Sequence, residues 1–101
     1  MKKQVNQQPL TLHKALRLNA VLGKYVDENH KYKDLFDLSK DLLKKMESAP
    51  MDYLECLSIF CGVPKEQIDI TNKIGALESF LVGLKINRFL ELHTRLKILG
   101  L

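Results

Sequence analysis

Few side chains in this 101-residue chain could do chemistry, and they are scattered. His13, His30 and His93 could serve as general bases or metal ligands, and Cys56 and Cys61 as nucleophiles or soft ligands. Their spacing matches no known arrangement: there is no HExxH, no CxxC pair and no glycine-rich phosphate loop. A helical spacing of five turns Cys56 and Cys61 ~140° apart, which rules out one disulfide or one shared metal between them. They read as small buried thiols, which suits a reducing compartment. Asp37 and Asp41 form an i,i+4 carboxylate pair of the kind used in acid/base work. Lysines stand alongside and the pattern offers no apolar pocket, so a water-facing surface is expected. The expectation is a protein that is not an enzyme, with no cofactor and no metal.

The elements that would position these residues read as an all-α bundle of about five helices, with a short turn after Gly62 and a C-terminal helix. Residues 1–9 are polar, end in Pro9 and read as a flexible arm, leaving 10–101 as a single helical domain. Thr11 offers an N-cap to a first helix with Leu12, Ala15, Leu18, Leu22, Tyr25 and Val26 on one stripe. A second helix is predicted over about Tyr32 to Glu47. Its inner side would carry Tyr32, Leu35, Phe36, Ser39, Leu42, Leu43 and Met46, and its outer side an Asp41 to Lys45 pair.

Ser48, Ala49 and Pro50 break that helix and open a third, since proline is tolerated in a first turn. Tyr53, Leu54, Leu57, Phe60 and Cys61 share its face, and Ile59 points elsewhere. Gly62 is a natural left-handed stop, and Pro64 to Ile68 reads as one short helical turn with Ile68 or Ile70 inward. Thr71 is the expected N-cap of a fourth helix with Ile74, Leu77, Phe80, Leu81 and Leu84 as its apolar residues. A ladder at Phe89, Leu92, Leu96 and Leu99 follows, its centre turned ~100° from the preceding stripe. A break between Gly83 and Ile86 accounts for the turn, because glycine costs ~1 kcal/mol relative to alanine in a helix interior. Glu91 and Arg95 would support the last helix, and Gly100 would end it.

The charge is uneven, with ten Lys/Arg against six Asp/Glu in residues 1–50 and six of each in 51–101. Lys14, Arg17 and Lys24 make a candidate basic face on the first helix, for which ordinary solvated charge is the plainer reading. Polar residues follow the first three, and no apolar run approaches the ~20 residues a bilayer span needs. A cytoplasmic protein with no membrane contact is expected. From Leu54 to Thr71 the order of apolar helix, Ser58, Gly62, Val63, Pro64 and Ile68 is similar to a helix-turn-helix, which makes a small DNA-binding regulator the alternative function. Its recognition segment would offer Lys65, Glu66, Gln67 and Asp69 with no arginine. Nucleic acid is therefore not the expected partner.

A family resemblance enters through the run Tyr53-Leu54-Glu55-Cys56-Leu57-Ser58-Ile59-Phe60-Cys61-Gly62-Val63-Pro64-Lys65-Glu66. It continues through Ser79-Phe80-Leu81-Val82-Gly83-Leu84-Lys85-Ile86-Asn87-Arg88-Phe89 and the closing Leu99-Gly100-Leu101. This pattern resembles the tail assembly chaperones of long-tailed bacteriophages and prophages, over about half of the chain. The resemblance implies a non-enzymatic protein in the cytoplasm of a bacterial host. Several copies would coat the tape-measure protein, keep its apolar stripes from aggregating and give way as tail-tube protein polymerises around it. Two differently directed apolar ladders in so small a domain would leave surface for such a partner or for a homo-oligomer, with Phe89, Leu92, Leu96 and Leu99 as the expected contacts.

Overall fold

Helix caps set most of the boundaries in the computed structural model, which describes residues 7–100. The order is α1 (Leu12–Leu22) closed by a 3-10 turn (Gly23–Tyr25), α2 (Leu35–Met46), α3 (Pro50–Cys61), a second 3-10 turn (Lys65–Gln67), α4 (Lys73–Ile86) and α5 (Phe89–Ile98). Among the described residues the chain is an all-α bundle of five helices, as its pattern predicts. Thr11 caps α1 by accepting from the Lys14 N–H. Pro50 opens α3, and Gly62 closes it in the left-handed region at φ 69°.

Two starts differ from expectation because an amide or carboxylate one or more residues further on makes the cap. Asp34, accepting from the Asp37 N–H at 2.9 Å, begins α2 at Leu35 and leaves Tyr32 in the preceding loop. Asn72, accepting from the Gly75 N–H at 3.0 Å, begins α4. Thr71 is occupied in a turn whose N–H and hydroxyl both donate to Asp69.

The break after the fourth helix also lies further on than the sequence suggests. Gly83 is an interior residue of α4, and a Cβ there would lie under 3.0 Å from ring carbons of Phe60. Its smallness therefore lets α3 and α4 approach closely. The helix stops at Asn87, whose side-chain amide donates to the Gly83 carbonyl at 2.8 Å while its Oδ1 accepts from the Leu10 N–H at 2.8 Å. Arg88 then turns the chain at φ 49°, the one non-glycine residue with positive φ among those described. Of the expected arm, residues 1–6 and the terminal Leu101 lie outside the described residues; Gln7 donates its amide to the Ser79 carbonyl at 2.9 Å.

The core is continuous. α3 packs on α1, α2 and α4, and α4 also meets α2 and α5. Leu18, Leu22, Leu38, Leu42, Leu57, Phe80, Leu84 and Phe89 are fully buried there. Phe80 touches the rings of Tyr53 and Phe60, with centroids 5.4 and 6.0 Å away. Leu38 and Ile59, which the periodicity leaves out, are buried, because α2 and α3 each face more than one neighbour. Leu12, Phe36 and Ile74 sit on predicted inner stripes yet are about 70% exposed, at 68%, 71% and 73%. Each lies in the first turn of its helix, where no neighbouring helix reaches over it.

Candidate functional site

Folding brings together two histidines that are 63 positions apart in sequence (93 minus 30). The loop between α1 and α2 and the outer side of α5 enclose a groove of about 360 Å³, lined in part by Glu28, His30, Tyr32, His93 and Lys97. The Nδ1 of His93 lies 2.9 Å from Asn19 Oδ1, the geometry of an Nδ1–H donor. Its ring stacks on Phe89 at 6.0 Å, and burial lowers its pKa. His30 meets Asp37 at 3.4 Å. Lys97 ties Glu28 across the groove, and its hydrogen bond holds the Glu28 carboxyl below the usual range. The Tyr32 hydroxyl donates to Asp41 at 2.7 Å and accepts from the Asp27 N–H. Each of these side chains already has a partner on a different segment, so the groove is a latch of polar contacts between α1, the loop, α2 and α5. Sequence spacing could not foresee it, since the pairings cross from one element to another. His13 is exposed on α1, away from this set.

Of the two thiols expected to be buried, Cys56 is, whereas Cys61 is only half-covered at the end of α3. Both are free; Cys56 is buried, and its pKa is pushed up to about 12, first by burial and then by Asp52 and Glu55. A thiol held so high stays protonated at neutral pH and makes a poor nucleophile.

The candidate basic face is largely neutralised by α3. Arg17 meets Glu55 at 2.7 Å and Lys24 meets Asp52 at 3.2 Å, leaving Lys14 without an ion-pair partner among the described residues. Glu55 also takes Lys65 at 3.2 Å, and Asp52 accepts the Tyr25 hydroxyl. The spacing of Asp52 and Glu55 on α3, three apart, was the available signal for this seam. Lys65 is thus spent on an intramolecular pair, and where a helix-turn-helix would place its recognition helix there is only the 3-10 turn Lys65–Gln67.

The C-terminal ladder divides. Phe89 and Leu96 are buried, at 0% and 4% exposed, and Leu92 packs partly covered against the core. Phe89 and Leu96 are taken up by the chain's own core, which corrects their expected place at an interface, while Leu92 keeps part of its surface. Only Leu99 stays open, beside Ile98.

Exposed large apolar residues are spread over the bundle, at Leu12, Phe36, Met51, Ile70, Ile98 and Leu99, and three more, Ile74, Leu77 and Val82, share α4. This helix buries Ala76, Phe80, Gly83 and Leu84 on its inner side, and exposes Ile74, Leu77 and Val82 on its outer side with Leu81 half-covered among them. Between Ile74 and Leu84 the only charged residue is Glu78. Exposed Glu78 and Lys85 stand among these apolar residues, and among the described residues no helix covers this side. Ile70, half exposed just before the helix, adds to the same end.

No protein-family model, curated protein or solved structure matches this chain. The motif that carries the resemblance has a local physical meaning: Ser58 donates its hydroxyl to the Val63 carbonyl at 2.5 Å across the left-handed Gly62, which closes α3. No helix among the described residues is long and apolar enough to cross a membrane.

Proposed function

We propose that this chain is a non-enzymatic tail assembly chaperone acting in the cytoplasm of a bacterial host, where it binds the tape-measure protein and keeps it soluble until tail-tube protein replaces it. The observation that carries the reading is the outer side of α4, on which Ile74 and Leu77 are exposed and Leu81 half-covered within an arc of ~60°. Such a stripe suits an amphipathic helix of a partner, whose i, i+3, i+4 residues would interleave with it. The resemblance of Tyr53–Glu66 and Ser79–Phe89 to the phage chaperones supplies the identity of that partner. Leu99 and Ile98 extend the available apolar surface at the end of α5.

A DNA-binding regulator draws less support, since Arg17, Lys24 and Lys65 are held by carboxylates of α3. Affinity for phosphates needs free cations at the contact.

Co-expression with the tape-measure protein of the same phage or prophage is the test. The expected result is a several-fold rise in soluble tape-measure protein that co-purifies with this chain, and loss of both on Ile74→Asp with Leu81→Asp. Unchanged solubility without co-purification would reject the proposal.

A further inference from the structure

We infer that His93 is an acid-sensitive catch: a proton added to its imidazole releases α5 from α1 and from the loop between α1 and α2. The inference makes no use of the proposed function and requires no partner. The catch closes on three sides of the ring. Asn19 Oδ1 on α1 lies 2.9 Å from Nδ1, and the ring of fully buried Phe89 stacks at 6.0 Å. The 3-10 turn comes so close at Gly23 that an added Cβ would lie 3.3 Å from the imidazole. A neutral ring suits this seat, with Nδ1–H donating to Asn19 and Nε2 left as an acceptor.

A second proton would find each nearby acid already engaged. Glu28 accepts from Lys97, and Lys97, one turn after His93 on α5, sets a like charge beside the ring. Asp27 accepts from the Asn29 N–H at 2.9 Å, and the Tyr32 hydroxyl donates to Asp41. A charge on His30 is met by Asp37 at 3.4 Å, which favours the loop's contact with α2 and leaves the acid response to the α5 side. Burial lowers the His93 pKa and Lys97 adds to the effect, with Glu28 opposing. A histidine shifted this way contributes stability above its ordinary value of 6.5 and loses it as pH falls from there through the lower, docked value. The chain also provides a hinge. The Asn87 amide closes α4 on the Gly83 carbonyl, and Arg88 turns the chain at φ 49° before α5 begins, so α5 can swing without unwinding α4. Opening bares Leu96 beside half-covered Leu92 and exposed Ile98 and Leu99.

Backbone hydrogen exchange of the full chain at about pH 7.5 and about pH 5.5, corrected for intrinsic exchange, tests this alongside an NMR titration of the histidines. At the lower pH the protection of α5 amides is expected to fall at least about threefold more than that of α3. The His93 ring is expected to titrate below 6.5. His93→Gln should remove the difference between the two helices, because glutamine carries no titrating charge. Asn19→Asp should reverse its sign, since a carboxylate against Nδ1–H raises the His93 titration above 6.5 and tightens α5 as pH falls. His30→Gln should keep the parent's response. A parent His93 that titrates at or above 6.5, or α5 protection that stays level between the two pH values, would overturn the inference. So would a loss that persists in His93→Gln or vanishes in His30→Gln, or an Asn19→Asp variant that behaves as the parent.

Discussion

The helices α2 and α4 are neighbours of similar length that treat water in opposite ways. On α2 the inner side buries Leu38, Leu42 and Met46 while Lys40 and Lys44 face outward, with Asp41 and Lys45 paired at 2.9 Å. On α4 the inner side is as apolar as that of α2, but its outer side also exposes Ile74, Leu77 and Val82 among Glu78 and Lys85. The polar side of α2 is therefore a finished surface, and Phe36 is its one large apolar exception. The outer side of α4 is unfinished in the monomer, and that difference carries the functional reading. Amphipathicity tells which way a helix faces; its absence on a surface helix points to a second partner.

The largest effect expected from breaking this comparison is between the two sides of α4 itself. Phe80→Ala should cost about 3 to 5 kcal/mol in urea denaturation, since a fully buried aromatic leaves a cavity among Tyr53 and Phe60. Ile74→Ala on the outer side should stay within about 0.5 kcal/mol of the parent. A comparable loss at both would mean that α4 is enclosed on both sides.

Gly83→Ala comes next. Helix propensity alone would stabilise it by ~1 kcal/mol. Because the added methyl meets the Phe60 ring, a net loss of about 1 to 2 kcal/mol is expected in the same measurement. A gain would show that the α3 and α4 contact yields easily.

The smallest effect concerns the polar side of α2. Asp37 is held below its ordinary value of 3.8 by the Lys33 N–H, with burial opposing. Burial would raise Asp41, but the Tyr32 hydroxyl and Lys45 outweigh it and the net shift is downward. Groups with a depressed folded pKa contribute stability above their unfolded value, and lose it as pH falls through the folded one. Thermal unfolding should therefore weaken modestly as pH drops below about 4, and D37N/D41N should flatten that slope. A slope unchanged in the double variant would show that α2 is not anchored by these carboxylates.

Much of the helix content was legible because its signals are local. Thr11, Pro50 and Gly62 act through hydrogen bonds and φ angles within a few residues, and each does what its type predicts. Errors arose where two local signals competed. Thr71 and Asn72 could both cap α4, and Asp69 decided the matter by engaging Thr71. Gly83 has the propensity of a breaker, but its lack of a side chain accommodates the Phe60 ring inside a continuous helix. The ladder at Phe89, Leu92, Leu96 and Leu99 was a real stripe, yet α5 turns most of it inward. The latch of His93, Asn19, Glu28 and Lys97 had no sequence signature, since its members meet only across elements.

Order along the chain thus determined where helices form, how they are capped and which residues share a face, because these depend on contacts spanning one or two turns. Tertiary packing alone decided which faces are covered. A period of 3.6 aligns side chains but says nothing about whether a neighbour lies over them. The neighbours that close over α5 and leave the outer side of α4 bare are set by how five helices share one small core.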